Sequence, residues 1–273
     1  MPNNSAVPRV PALGIIGCGR MAEAMLARLL ADGLLPEQVW VSARSPQRQQ
    51  YLANTYGVNV TTNLEVATAE TLLLAVKPQS FADIELELAD TPVAQSSGVV
   101  LSIMVGISSG RLRQLFPRRL IFRAMPNTPA QVGAGVIALA SDGAASELDI
   151  QRMRNLLGVL GQVVAVSEGQ MDAVTALSGS GPAFVALIVE ALCDAGVAVG
   201  LSRSLTQELV YGTIAGTVQL LNERGLHPAQ LKDAVTSPAG TTIAGLEVLE
   251  AAGVRGTLMQ TVKAAYERAQ SLN

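Results

Sequence analysis

A short apolar segment that runs directly into a glycine-rich turn is the strongest constraint on how this chain can fold. Val10–Ile16 is an apolar, strand-like run, and Gly17–Ala22 follows it as a G-x-G-x-x-A pattern that opens a segment of helical spacing. Gly17 permits a tight turn, Gly19 lets a ligand approach the backbone, and Ala22 allows a helix to pack closely on a sheet. A strand, a turn and a helix in this order are typical of a parallel α/β sheet.

Strand-like runs and helical segments keep alternating up to about residue 166. The strand-like runs are Val39–Val41, Thr71–Val76, Val99–Ile103, Leu120–Arg123, Val136–Leu139 and Val163–Val166. The segments of helical spacing are Met21–Ala31, Pro46–Tyr56, Ser80–Leu88, Ser108–Phe116 and Leu148–Leu157. Strands separated by helices predict right-handed βαβ units and a mostly parallel sheet. We therefore expect residues 1–166 to form a Rossmann-like α/β domain.

From about Met171 the pattern changes to helices alone. These helices are Pro182–Val199, Ser202–Leu221, Pro228–Val235, Thr242–Ala251 and Val254–Ser271. The first of them carries only Glu190 and Asp194 as charges, and a helix that is apolar on every side has to be buried. Because a helical domain of roughly 100 residues has difficulty burying several such surfaces alone, we expect residues 167–273 to form an all-α dimerisation domain.

Composition excludes several classes of protein. The 273 residues carry 22 acidic and 19 basic side chains without a basic block, so nucleic acid is not an expected partner. Two distant cysteines and a single histidine, His227, argue against a zinc site or a Ser-His-Asp triad. The uncharged stretch Thr91–Gly110 contains Pro92 and several serines and glycines, so no membrane span is expected. We expect a cytoplasmic protein whose chemistry comes from a cofactor.

The glycine turn predicts a dinucleotide site. A helix start offers free amides and the positive end of the helix dipole, which suits a pyrophosphate. We expect the cofactor to contact the turn and the first helical turn, namely Gly17, Cys18, Gly19, Arg20 and Met21. The alternative is an ordinary strand-to-helix turn that is rich in small residues.

The end of the second strand-like run predicts which nucleotide binds. Val39–Val41 is followed by Ser42 and Arg44, without the acidic residue that takes the ribose 2′-hydroxyl in NAD-binding domains. Ser42 can donate a hydrogen bond, Arg44 offers a guanidinium suited to a phosphate, and Arg48 can add charge. We therefore predict NADPH as the cofactor, with NADH as the alternative. A solvated surface arginine is the other interpretation of Arg44.

Two further turns follow predicted strands at their carboxyl ends, where ligands bind in parallel sheets. Ala75, Val76, Lys77 and Pro78 form the first of these turns, and we expect them to edge the ribose of the cofactor. The second is a rigid Pro-Asn-Thr-Pro turn around Asn127. Asn127 is expected either to hydrogen-bond cofactor or substrate, or to serve the turn alone.

Two turns open helices of the second half. Ser178–Pro182 suits helix capping, with proline at the first helical position, and it equally suits a helix start that receives an anion. In Thr236–Ile243, Gly240 permits close approach, and hydroxyls flank backbone amides that we expect to point outward. This second turn predicts a cradle for a carboxylate, with one hydroxyl left for a neighbouring nitrogen or oxygen. A plain helix cap is the alternative.

In their order and spacing these motifs resemble the pyrroline-5-carboxylate reductase family over nearly the whole chain. The segments that carry the resemblance are Gly17–Ala22, Ala75–Pro78, Arg123–Pro129, Ser178–Pro182, Leu231–Asp233 and Ser237–Ile243. The resemblance implies NAD(P)H-dependent reduction of 1-pyrroline-5-carboxylate to L-proline, the last step of proline synthesis. It also implies a homodimer built through the helical domain, and several members assemble into rings of five dimers.

The resemblance assigns roles to residues of the last segment by motif position. Ser237, Gly240 and Thr241 would hold the carboxylate, and the hydroxyl of Thr242, as the catalytic residue, would meet the ring nitrogen. A protonated imine is already an electrophile, so the protein needs to supply orientation more than acid catalysis. The lack of a spare histidine is therefore compatible with this chemistry.

Two other functions stay open from the sequence. A 3-hydroxy-acid dehydrogenase with the same domain order would need a general acid–base group, for which Lys232 is the candidate. Otherwise we expect Lys232 and Asp233 to form a solvated or interface pair, and His227 to cap a helix. A non-catalytic NADP-sensing or scaffold protein would bind NADPH without turnover, which leaves the hydroxyl-rich turn Ser237–Thr242 without a purpose.

Overall fold

A computed structural model of the chain describes residues 11–272. Its strands are Leu13–Ile16 (β1), Val39–Ser42 (β2), Asn59–Val60 (β3), Thr71–Leu74 (β4), Gly98–Ser102 (β5), Arg119–Met125 (β6), Gly135–Ser141 (β7) and Gly161–Ala165 (β8). Its α-helices are Arg20–Ala31 (α1), Pro46–Tyr56 (α2), Asn63–Val66 (α3), Phe81–Leu88 (α4), Ser109–Leu115 (α5), Glu147–Gly158 (α6), Met171–Val174 (α7), Gly181–Ala198 (α8), Arg203–Arg224 (α9), Pro228–Ala234 (α10), Thr241–Ala251 (α11) and Val254–Gln270 (α12).

The chain divides into two compact units. One runs up to Ser180 and takes in the chain from Ala265 onward, and the other is Gly181–Ala264. The predicted strand-to-helix transition near residue 166 falls just after β8. The residues that follow stay with the sheet because Met171 is buried in one apolar cluster with Met125, Ala138 and Ala140.

The first unit is built on an eight-stranded sheet with the order β3-β2-β1-β4-β5-β6-β7-β8. Neighbouring strands are parallel except β6 and β7, so the predicted mostly parallel sheet is confirmed. Ile16 at the end of β1 pairs with Ser42 on one side and with Leu74 on the other. The carboxyl ends of β1, β2 and β4 therefore lie side by side at one edge of the sheet.

The apolar core of this unit has two parts that follow the alternation of the strands. Leu73 and Phe122 belong to one buried cluster, whereas Leu72, Leu74 and Ile121 belong to another. Successive residues of a strand point to opposite faces, so the two clusters lie on the two faces of the sheet. Helices cover both faces, as the near-continuous apolar strands require.

Two short elements, β3 and α3, were not anticipated. The sequence nevertheless contains their signal, because Thr62 and Glu65 form the T-x-x-E pattern of a capping box. The Glu65 amide donates to Thr62 Oγ1 at 3.3 Å, and the Thr62 amide donates to the Glu65 carboxylate at 3.4 Å. This box starts α3 directly after β3, and it brings the following residue, Asn63, to the carboxyl end of β2.

Arg119, the first residue of β6, is fully buried without a carboxylate partner. Its guanidinium donates to the carbonyl oxygens of Ala67 at 2.7 Å and Ala69 at 2.9 Å, and to Ser96 Oγ at 2.7 Å. Burial lowers the pKa of Arg119 to about 10. The side chain thereby satisfies backbone acceptors in the connection between α3 and β4 that would otherwise be buried and unpaired.

We expect Arg119→Met to lower the free energy of unfolding by about 2–4 kcal/mol, because it leaves these carbonyl groups without donors. Urea unfolding measures the effect. Arg118→Met is the matched control, since Arg118 is adjacent and exposed, and its effect should stay within about 0.5 kcal/mol. Equal losses in the two variants would contradict the role given to the Arg119 hydrogen bonds.

The helical unit buries few side chains of its own. Within Gly181–Ala264, all of which the structure describes, Cys193 and Thr206 are the buried residues. A Cβ on Gly196 would lie 2.5 Å from Thr206 Cγ2, so α8 and α9 pack with their backbones close together.

Large apolar side chains are exposed along the helices of this unit. They include Val185, Leu187, Ile188, Leu192, Leu205, Leu209, Tyr211, Val218, Val248, Leu249 and Met259. The segment Glu168–Ala198 is long and apolar enough to cross a membrane by length and composition, and 6% of its apolar window is buried in the chain. The sequence predicts that the helix Pro182–Val199 is buried, but within a single chain most of this segment is exposed.

Candidate functional site

The glycine turn closes against the end of β4. Gly17 has a φ of +86°, and a Cβ at this position would lie 2.5 Å from Val76 Cγ1 and 2.7 Å from Val76 N. The amides of Gly17 and Cys18 both donate to the Ser42 carbonyl oxygen, at 3.3 and 3.4 Å. Only glycine fits this position, and its turn joins the ends of β1, β2 and β4.

The helix start after the turn is open to a ligand. Gly19 is the N-cap of α1, and no side chain caps the first-turn amides. A Cβ on Gly19 would meet nothing within 4 Å. The first backbone bond of the helix runs from the Glu23 amide to the Gly19 carbonyl at 2.8 Å, so the preceding amides have no acceptor within the helix. Free donors, the positive helix end and an unobstructed approach fit the pyrophosphate of a dinucleotide.

A cavity of about 530 Å³ lies beside this turn. The predicted cofactor residues that line it are Gly17, Cys18, Gly19, Ser42, Arg44, Ala75, Val76 and Lys77. Arg20, Met21 and Pro78 adjoin these residues in the chain but are not among those that line the cavity. The structure thus brings together side chains from three strand ends, although their contacts with a cofactor stay predictions.

Arg48 does not add free charge to the cavity, contrary to the expectation from the sequence. Its guanidinium donates to the Cys18 carbonyl at 2.9 Å and pairs with Glu23 at 2.5 Å. Burial opposes ionisation of Glu23, but hydrogen bonds from Arg48, Tyr56 and Tyr51 lower its pKa below the ordinary value. Arg48 lies on α2, and its hydrogen bonds therefore hold the glycine turn and α1 to that helix.

Burial also determines the protonation state of the Cys18 thiol, which lines the cavity. Desolvation raises the pKa of Cys18 to about 11, against a smaller opposing effect of Arg48. The thiol is thus protonated at neutral pH and serves as a small apolar surface rather than a nucleophile.

Three polar residues that line the cavity are linked to one another. Ser42 is buried, and its hydroxyl donates to Asn63 Oδ1 at 2.6 Å. Asn63 Nδ2 in turn donates to Glu87 Oε2 at 2.7 Å. Arg44 is exposed on the same cavity. Asn63 and Glu87 were missed from the sequence because α3 was not anticipated and because the face that α4 presents could not be assigned.

Ser178–Pro182 contains the start of the long helix α8, as the sequence suggested, but Pro182 is its second residue and the helix start is not free. The π-helical turn Thr175–Gly179 follows α7 directly and leads into α8. Proline has no N–H, so Pro182 leaves the Ser178 carbonyl, four residues earlier, without its helical donor. The structure therefore has a proline inside a helical segment, where the sequence suggested a free helix start.

Asn127 supplies the donor that this carbonyl lacks. Its Nδ2 lies 3.3 Å from the Ser178 carbonyl oxygen, and its Oδ1 accepts a hydrogen bond from the Val136 amide at 2.9 Å. Asn127 does not line the cavity described above. Its observed contacts are those of a structural turn residue, and a contact with cofactor or substrate stays a prediction.

In the helical unit, the turn before α11 forms a second uncapped helix start. Gly240 is the N-cap, without a side-chain hydrogen bond, and its amide donates to the Ser237 carbonyl at 3.1 Å. A Cβ on Gly240 would collide with Ser237 Oγ, and Ala239 adopts the left-handed region with φ of +55°. The hydroxyls of Ser237, Thr241 and Thr242 belong to the same turn, so it offers both N–H and O–H donors to an anion.

Three other polar residues of this unit, for which the sequence analysis gave an expectation, have the contacts expected of them. His227 is the N-cap of α10, where its Nδ1 accepts from the Ala229 amide at 3.2 Å. Lys232 Nζ lies 3.2 Å from Asp233 Oδ1, and both side chains are exposed. The predicted cap and the predicted ion pair are confirmed.

Comparison with known proteins gives two family matches in chain order. Residues 12–106 match a family described as NADP oxidoreductase, coenzyme F420-dependent. Residues 168–272 match one described as pyrroline-5-carboxylate reductase dimerisation.

Relatives and solved structures resemble the chain over nearly its whole length. A pyrroline-5-carboxylate reductase from Synechocystis is 48% identical over 95% of this chain and 97% of the relative. One from Thermus thermophilus is 39% identical over 95% of this chain and 98% of the relative. A crystal structure of Plasmodium falciparum pyrroline carboxylate reductase with NADP bound is 31% identical, with a TM-score of 0.86 over 96% of this chain and 98% of that one.

The fold and the site define a dinucleotide-binding oxidoreductase with a Rossmann-like α/β domain and a helical dimerisation domain. The predicted fold class is confirmed. More particularly, the chain belongs to the pyrroline-5-carboxylate reductase family. The exposed apolar helices of the second unit then have their explanation in subunit association, which their family description names.

We expect Gly19→Ala to raise the Kd for NADPH by at least about tenfold, because a methyl group would occupy the approach to the α1 amides. No atom of the described residues 11–272 lies within 4 Å of that methyl group, so the free energy of unfolding should change by no more than about 1 kcal/mol. Nucleotide titration and urea unfolding measure the two quantities. Gly158→Ala, at the last residue of α6 and likewise with no neighbour within 4 Å, should leave the Kd unchanged. A Gly19→Ala variant with unaltered affinity would contradict the placement of the pyrophosphate.

Proposed function

We propose that this chain reduces 1-pyrroline-5-carboxylate to L-proline with a reduced nicotinamide dinucleotide. The observation that carries the proposal is the presence of two helix starts, at Gly19 and Gly240, that begin on glycine and have no side-chain cap. One adjoins the nucleotide-sized cavity, and the other is surrounded by hydroxyls. Family membership supplies the matching substrate, an imino acid with one carboxylate.

The first helix start would hold the nucleotide. The amides of Arg20 and Met21 would face the pyrophosphate, and Gly19 would let it approach the backbone. Gly17 and Cys18 form the turn beneath it, which the Gly19 amide closes by donating to the Gly17 carbonyl at 2.7 Å. At the end of β2, Ser42 and Arg44 would meet the ribose and its 2′-substituent. Ala75, Val76, Lys77 and Pro78 would edge the ribose, and Asn127 is proposed only as a more distant contact. We propose NADPH as the preferred cofactor and NADH as a second one.

The second helix start would hold the substrate. Ser237 and Thr241 would bind its carboxylate through O–H and N–H donors, and Gly240, whose own amide donates to the Ser237 carbonyl, would let the carboxylate approach the backbone. Thr242 Oγ1 would lie against the ring nitrogen. The cofactor, when bound, supplies the hydride. The imine enters protonated, so the carbon of the C=N bond gains the hydride, the nitrogen keeps its proton as the secondary amine forms, and no group leaves. Thr242 therefore orients the nitrogen and need not transfer a proton.

Catalysis by orientation is compatible with the side chains that the protein offers. Orientation of two bound reactants can contribute roughly 7–11 kcal/mol to a barrier, without a strong acid or base in the protein. His227 caps a helix and Cys18 is protonated, so neither is available as a general base. A reaction whose electrophile is already activated suits such a site.

The working form of the protein is proposed to be a homodimer in the cytoplasm. Association through residues 167–273 would cover the exposed apolar helices, and residues 1–166 would carry the nucleotide. A ring of five dimers is the larger assembly that we propose. Neither nucleic acid nor a membrane is proposed as a partner, because the charge is balanced and the apolar segment Glu168–Ala198 belongs to the part matched by the dimerisation family.

The direct test is oxidation of NADPH or NADH, followed at 340 nm, with 1-pyrroline-5-carboxylate as the acceptor. We expect Thr242→Ala to lower kcat/KM for the imine by about 10- to 100-fold, because the ring nitrogen loses a hydrogen bond while charged. Thr242→Ser, which keeps the hydroxyl, should retain most of the activity. An alanine variant with unaltered kcat/KM would remove Thr242 from the mechanism.

We expect Lys232→Met to keep kcat/KM close to the wild-type value. Lys232 is exposed and paired with Asp233, so it has the surroundings of a surface residue and not of a general acid. The same 340 nm assay measures this. If the variant lost activity by a factor of about 100 or more, a dehydrogenase that uses lysine as its acid–base group would become the better description.

A further inference from the structure

A chain of two hydrogen bonds links three elements that line the cavity. Ser42, the last residue of β2, donates to Asn63 Oδ1 at 2.6 Å. Asn63, the first residue of α3, donates through Nδ2 to Glu87 Oε2 at 2.7 Å. Glu87 lies near the end of α4, and all three residues line the cavity.

The chemistry of these groups fixes the direction of both hydrogen bonds. An ionised carboxylate only accepts, so the Asn63 group that faces Glu87 has to be the NH₂. The amide oxygen then faces Ser42 and also only accepts, which means that the single hydroxyl proton of Ser42 points toward Asn63. Ser42 therefore offers only lone pairs to the cavity, and this orientation follows from the Glu87 carboxylate, two hydrogen bonds away.

This orientation discriminates between the two kinds of ribose. The end of the second strand is where a dinucleotide-binding domain contacts the ribose 2′-position. A 2′-hydroxyl can donate to the Ser42 lone pairs, whereas a 2′-phosphate presents acceptors that meet another acceptor. Arg44, exposed two residues further on, offers donors and positive charge to a phosphate. The two residues thus favour opposite cofactors.

We propose that Glu87 is a positioning residue for cofactor choice, which keeps Ser42 an acceptor and so offsets the preference that Arg44 gives for a 2′-phosphate. Glu87 acts through Asn63. The expected result is a cavity that accepts the 2′-hydroxyl of NADH alongside the 2′-phosphate of NADPH. This inference rests on the proposed function in one respect, namely that a nicotinamide dinucleotide occupies the cavity.

The test is to reverse the hydrogen bonds with Glu87→Lys. Lysine only donates, so Asn63 would turn its oxygen toward position 87 and its NH₂ toward Ser42. The Ser42 proton would then be free to donate to a phosphate. The readout is the equilibrium Kd of NADP⁺ and of NAD⁺, measured by calorimetry without substrate. We expect the ratio of affinities to shift toward NADP⁺ by about tenfold more than in the charge control.

Asp83→Lys is the charge control. Asp83 lies one turn earlier in α4 and lines the same cavity, so the substitution makes the same change of charge without replacing Ser42, Asn63 or Glu87. Ser42→Ala provides the second comparison, because without the hydroxyl the difference between the two lysine variants should disappear. Glu87→Gln, which can either donate or accept, should give a smaller shift and serves if the lysine variant does not fold.

The outcomes separate this inference from the proposed function. Equal shifts in Glu87→Lys and Asp83→Lys would show that charge alone acts, and would overturn the role of Glu87. A difference that persists in the Ser42→Ala background would overturn the route through Ser42. If the wild-type protein bound neither NADP⁺ nor NAD⁺, the proposed function itself would fail. Binding of both, with no change of ratio in any Glu87 variant, would remove only the inference.

Discussion

The structure depends on the contact between Gly17 and Val76. This contact holds the turn after β1 against the end of β4, with no space for even a methyl group, while the amides of the turn bind the end of β2. Because β1 lies between β2 and β4 in the sheet, the ends of all three strands are fixed relative to one another. The cavity, the open start of α1 and the Ser42–Asn63–Glu87 hydrogen bonds all surround that point.

The sequence allowed prediction of those parts of the fold that depend on local chemistry. The cap at His227 is present as expected, because a capping side chain acts within a few residues of its own position. The glycine turns before α1 and α11 could also be recognised from the neighbouring residues alone. They lack the polar cap residue that starts most helices, and the structure shows both Gly19 and Gly240 as N-caps without a side-chain hydrogen bond.

Features that depend on distant partners could not be predicted. Pro182 resembles the first turn of a free helix when its neighbours alone are considered, but a π-helical turn precedes α8. Asn127, far away in sequence, pairs with the Ser178 carbonyl that the proline leaves free. Arg48 could be placed on α2, yet nothing local showed that Glu23 and the Cys18 carbonyl would bind its guanidinium. Glu87 belongs to the same group, since its effect on Ser42 passes through a helix of four residues.

The small number of buried side chains in the helical unit has a consequence for the whole protein. With Cys193 and Thr206 as the buried residues of Gly181–Ala264, this unit gains little from folding as a separate chain. Subunit association then supplies part of the free energy of folding, and mass action makes the thermal midpoint rise with protein concentration. Dilution would therefore weaken the helical unit, including its Ser237–Thr242 turn, before the sheet of the other unit is affected.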